Sequence, residues 1–122
     1  MKTMLVPLIL IVLCVTTKAQ SKSDSLYIVT YTTSTGWDYA KKPHEQPYFK
    51  EHSAHLSALR KAGTIKMGAR YADKGIIVIV APSHQSAREI VESDQAIVNR
   101  LFQADVQKLS VFYEGCVTKV GQ

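Results

Sequence analysis

The chain has 122 residues, 46% of them hydrophobic and 20% charged, with 15 basic against 10 acidic side chains and a formal charge of +5 at pH 7. This length holds one small domain with a modest core. The basic excess is too slight to argue for a nucleic-acid partner.

Met1-Lys2-Thr3-Met4 gives a basic start, Leu5 to Val15 a short apolar core, and Thr17-Lys18-Ala19 small residues at a cleavage position before polar Gln20 to Asp24. This is the pattern of a secretory signal peptide, and its core is too short to span about 30 Å of hydrocarbon comfortably. A lipid anchor on Cys14 would need a small residue before it, where Leu13 stands. Residues 1–19 are therefore expected to be a leader and residues 20–122 one domain, exported to the periplasm or secreted, with no membrane attachment after cleavage. Losing Lys2 and Lys18 lowers the charge to about +3. Cys14 leaves as well, so Cys116 has no intrachain partner in spite of the oxidising destination; it reads as a small side chain at a strand end.

Ser25 to Thr33 is rich in β-branched and aromatic residues, with Tyr27, Val29 and Tyr31 on one face, and predicts the first strand. Ser34 to Gln46 shows neither period and predicts a long loop of the kind that often serves as a lid. Trp37 anchors it, either over a ligand or as a plug at the core edge.

Phe49 to Gly63 predicts an amphipathic helix. At about 100° per residue, Phe49, His52, Leu56 and Leu59 share one face, bordered by Tyr48, His55 and Ala62. Pro47 suits the first helical turn and Gly63 the left-handed residue that closes the last. His52 thus points inward. It is either a core imidazole with one satisfied hydrogen bond or a histidine placed to move a proton in a cleft.

Thr64 to Tyr71 alternates, placing Ile65, Met67, Ala69 and Tyr71 on one side and Thr64, Lys66, Gly68 and Arg70 on the other. Ala72 to Gly75 predicts a hairpin turn, and Ile76 to Ala81 a central strand apolar on both faces. Ser86-Ala87-Arg88-Glu89 has the spacing of a capping box, starting a helix with Ala87, Ile90 and Val91 inward. Asp94 interrupts it, helical spacing resumes to about Ala104, and Val106 to Tyr113 predicts the last strand.

The order β-α-β-β-α-β is the split, ferredoxin-like α+β arrangement: a four-stranded antiparallel sheet with helices on one face. The apolar residues on the other face call for a cover, and a second copy of the chain would supply it as a homodimer.

Asp94 is the acid placed to partner His52. It can equally be a helix N-cap, and the two roles are compatible, since a carboxylate fixed by backbone donors can also orient an imidazole. His52 and His55, with His44 or Glu45, could chelate a metal, but His52 faces inward and no second ligand pair follows, so neither metal nor cofactor is expected. Trp37, His55 and Arg70 are candidate ligand contacts, Arg70 for an anion.

Over nearly the whole of residues 20–122 the chain resembles the YciI-like (YCII-related) family. The resemblance is carried by Tyr27-Ile28-Val29, by His52, Leu56, Leu59 and Gly63, by Gly68, by Gly75 to Val80, and by Ala87 through Asp94-Gln95-Ala96-Ile97-Val98 to Leu101-Phe102. Trp37, Glu45-Gln46, Phe49 and His52 are similar to one subgroup. The resemblance implies a dimeric α+β barrel with a cleft holding a histidine and an aspartate as a candidate catalytic pair, which fall on His52 and Asp94. Gln95 stands where that family usually has proline, and Arg100 where it often has glycine. A few relatives are small-molecule lyases or dehalogenating enzymes and most have no assigned reaction, so the function expected is either a small-molecule enzyme of lyase or hydrolase type or a non-catalytic ligand-binding or interaction module on the same fold.

Overall fold

A computed structural model describes residues 23–121, so the expected leader lies outside the described residues. The strands are β1 (Ser25–Thr33), β2 (Ile65–Tyr71), β3 (Lys74–Ala81) and β4 (Phe102–Leu109); the helices are α1 (Phe49–Lys61), α2 (His84–Glu92) and the single turn α3 (Gln95–Val98). A further 3-10 turn, Pro43–Glu45, lies in the β1–α1 loop. The sheet order is β2-β3-β1-β4, and every neighbouring pair is antiparallel. This α+β architecture is compatible with the ferredoxin-like arrangement.

The core lies between one sheet face and the helices. Tyr27, Val29 and Tyr31 of β1 pack with Ile77, Ile79 and Ala81 of β3, Val106 of β4 and Ala87 and Val91 of α2, with Leu56 of α1 against the cluster. Period-two burial in the strands and helical spacing in α1 and α2 therefore meet on one side. By register, Leu26, Ile28, Ile76, Val78 and Val80 point to the opposite face, with Leu109 beside Leu26 and Met67 beside Val78.

Several boundaries depart from the sequence reading, each for a local reason. In β2, Ile65 faces Ile79 while Met67 faces Val78, so Lys66 is an extra residue in a β-bulge. The alternation is thereby shifted: Ile65, Gly68 and Arg70 lie on the helix-bearing face, and Met67, Ala69 and Tyr71 on the other. The hairpin turn is only Ala72-Asp73, with Ala72 left-handed at φ 49°, so β3 starts at Lys74. The cap of α2 is Ser83, whose Oγ accepts the Ser86 N–H at 3.0 Å, which starts that helix before Ser86. Pro47 precedes the helix it was expected to open, since the N-cap of α1 is Tyr48 at φ 64°.

The largest departure follows α3. Arg100 is left-handed at φ 57°, the Leu101 N–H donates to the Ala96 carbonyl and the Arg100 N–H to the Ile97 carbonyl. That pair of bonds is a Schellman closure, which ends the helix where helical spacing alone continues. β4 therefore begins at Phe102 and stops at Leu109, leaving Val111, Tyr113 and Cys116 beyond the last strand and exposed. Gly63 closes α1 in the same manner at φ 77°, as its position predicts.

Candidate functional site

His52 and Asp94 meet between α1 and the α2–α3 break. His52 is in the first turns of α1, one turn before Leu56, and the inward face that packs half-buried Leu56 on the core carries the imidazole inward too, leaving it 8% exposed. Asp94 is the N-cap of α3, in extended conformation and fully buried. One carboxylate oxygen accepts the Ala96 N–H at 2.9 Å, and the other accepts His52 Nδ1–H at 2.5 Å. Capping and pairing are thus divided between the two oxygens of one side chain.

Burial pushes the Asp94 carboxyl up, but the hydrogen bonds from His52 and Ala96 and the nearby charge of His52 and His55 outweigh it and hold the group below its ordinary value of 3.8. An ionised Asp94 can only accept, so the neutral His52 ring must carry its proton on Nδ1. The lone pair is then on Nε2, and the ring lines a cavity of about 500 Å³. A base oriented by a buried carboxylate is the chemical content of the arrangement.

The cavity is bounded by aromatic rings. Phe102, the first residue of β4, lies 4.9 Å from the His52 ring and 5.5 Å from Trp37, and Phe49 lies 6.3 Å from His52. Trp37 is held there by a loop that is pinned rather than free. The Ser34 N–H donates to the Leu101 carbonyl and the Gly36 N–H to the Arg100 carbonyl, and a Cβ on Gly36 would sit 2.9 Å from that same oxygen. Buried Gln46 ties off the far side: its Oε1 accepts the Asp38 N–H, and its Nε2 donates to the carbonyls of Asp38 and Lys41.

Of the residues singled out from sequence, His52, Trp37 and Arg70 line this cavity and Asp94 backs it. Arg70 reaches it because of the bulge at Lys66, which the strand's alternation concealed. His55 is not brought to it. Its Nε2–H donates to the Ile90 carbonyl at 3.0 Å, fastening α1 to α2. Tyr31 is the site residue that sequence reasoning missed. Its ring meets His52 edge-on at 5.3 Å, and its hydroxyl is buried without a hydrogen-bond partner among the described residues. Burial, with the Asp94 charge adding to it, raises the phenol well above its ordinary value, so it stays a donor. The strand pattern marks Tyr31 as inward but says nothing of its hydroxyl.

A larger groove of about 660 Å³ runs between α2 and β4, where His84 Nε2–H donates to the Val106 carbonyl and Arg88 pairs with Glu92. No cluster of three or more metal-ligating side chains occurs among the described residues. Comparison with models of protein families and with characterised proteins gave no match.

Proposed function

We propose that the protein is an exported YciI-like enzyme acting on a small molecule, of lyase or hydrolase type, with His52 as general base and Asp94 orienting it. The observation that carries the reading is the His52–Asp94 pair, a buried carboxylate on Nδ1 of an imidazole in a cavity wall. The substrate's proton passes to Nε2, and Asp94 stabilises the resulting imidazolium without taking the proton itself. The same imidazolium then serves as the acid that protonates a leaving group or product. Trp37 and Arg70 hold the ligand, and the apolar sheet face opposite the helices is covered by a second copy, closing a dimeric barrel.

Screening the purified protein against small-molecule libraries, with His52→Ala in parallel, tests this. Turnover by the wild type but not by His52→Ala, with ligand binding retained in the variant, is expected. Ligands that bind both proteins and are converted by neither would assign the non-catalytic module instead.

A further inference from the structure

The cavity beside His52 is kept open by two missing side chains. Tyr31 of β1, Gly75 of β3 and Arg70 of β2 lie in register across three neighbouring strands on the helix-bearing face, and Val29, Ile77 and Gly68 form the next such row. A Cβ at Gly75 would come no closer than 4.0 Å to Tyr31 Cβ, and one at Gly68 no closer than 3.7 Å to Ile77 Cγ2. Side chains would therefore be tolerated at both positions and would fill the space. Without them the floor is bare backbone at Gly75 and Gly68, on neighbouring strands in adjacent rows, bordered by the side chains of Tyr31, Ile77 and Arg70.

Two further features fix what suits that floor. Trp37 and Phe102, ring centroids 5.5 Å apart, give an aromatic wall. Arg70 is the one permanent cation on the lining, and it has no carboxylate partner: the ion pairs among the described residues are Lys41–Asp38, His52–Asp94 and Arg88–Glu92. Asp73, the one acid on the lining, lies at the exposed hairpin tip outside ion-pair reach of Arg70.

We infer that the ligand of this cavity is a planar ring compound bearing a carboxylate, its ring on the Gly68–Gly75 floor, its carboxylate on Arg70 and its ring edge toward His52. A flat ring covers bare backbone and stacks on aromatic side chains. A guanidinium fork matches a carboxylate through two parallel hydrogen bonds. The inference rests on the cavity being the functional site, but not on His52 being catalytic.

Trp37 is the only tryptophan in the chain, so its fluorescence reports on this cavity alone. Titration with benzoate and with benzamide, the same ring without the charge, tests the assignment. Benzoate is expected to bind about tenfold tighter. Arg70→Gln removes that preference while leaving benzamide binding in place, Gly75→Val weakens both, and His52→Ala keeps the preference whether or not it abolishes turnover. Equal affinities in the wild type, binding of neither probe, or a preference that survives Arg70→Gln would each overturn the assignment. Should Gly75→Val not fold, the Arg70 comparison decides the matter by itself.

Discussion

Asp94 holds His52 with one carboxylate oxygen and the Ala96 N–H with the other, at 2.5 and 2.9 Å. The two roles are therefore separable by substitution. Asparagine keeps an oxygen for the cap, whereas alanine removes both bonds at once. Asp94→Ala is expected to cost roughly 2–4 kcal/mol, a lost N-cap plus a buried imidazole without its partner. Asp94→Asn should cost clearly less. Urea unfolding of the three proteins at neutral pH measures both differences.

The same pair makes stability depend on acid. The Asp94 carboxyl is held below its ordinary value of 3.8 in the folded state, so its contribution is fully present above that value and is lost as pH falls through the lowered one. The stability gap between wild type and Asp94→Asn should shrink as pH falls below about 4. A gap that widens below about pH 4 would show that the carboxyl is not stabilised by folding.

Tyr31 carries the opposite sign. Its buried hydroxyl has no partner among the described residues and its phenol is raised above the ordinary 10.0, so its contribution is intact below pH 10 and is lost as pH rises further. Tyr31→Phe removes an unsatisfied group and should leave stability unchanged or raise it by up to about 1 kcal/mol at neutral pH. It should also blunt the loss of stability above about pH 10. Thermal melts across that range read both effects, and a Tyr31→Phe protein destabilised by more than about 1 kcal/mol would mean that the hydroxyl has a structural partner.

Arg100 occupies a left-handed position at φ 57° that glycine adopts without steric cost. Arg100→Gly is expected to stabilise the Schellman closure by about 0.5–1 kcal/mol and to raise the melting temperature. A lowered melting temperature would show that the Arg100 side chain outweighs the backbone conformation.

Val78 tests the assembly. It is central on the sheet face opposite the helices, whereas Ile77 belongs to the helix-side core. If a second copy covers that face, Val78→Lys buries an unpaired charge in the interface and should dissociate the dimer. Light scattering distinguishes the cases: a wild-type monomer at micromolar concentration would remove the dimer from the account.

The element order and the site histidine were legible because they rest on strong periodic signals. Tyr27, Val29 and Tyr31 alternate, and Gly63 fixes the end of α1 and with it the face that His52 occupies. Asp94 was legible as a break in helical spacing. The bulge at Lys66 was not, because one extra residue leaves the visible alternation of β2 intact while exchanging its faces. The end of α3 was hidden by a non-glycine residue in a glycine conformation at Arg100, and the start of α2 by a serine cap at Ser83 with a second serine three residues on. Gln46 and the Tyr31 hydroxyl depend on bonds made, or left unmade, to residues elsewhere in the chain, which no local pattern records.

The tautomer of His52 tests the central claim most directly. Asp94 requires the neutral ring to carry its proton on Nδ1, leaving Nε2 as the base. In Asp94→Asn the amide oxygen keeps the Ala96 cap, so the amide NH2 faces Nδ1, which must then accept, and the ring proton moves to Nε2. Nitrogen NMR of the His52 ring, recorded with the ring neutral, resolves the two forms. The account predicts an Nδ1–H ring in the wild type and an Nε2–H ring in Asp94→Asn. The same tautomer in both proteins would contradict it.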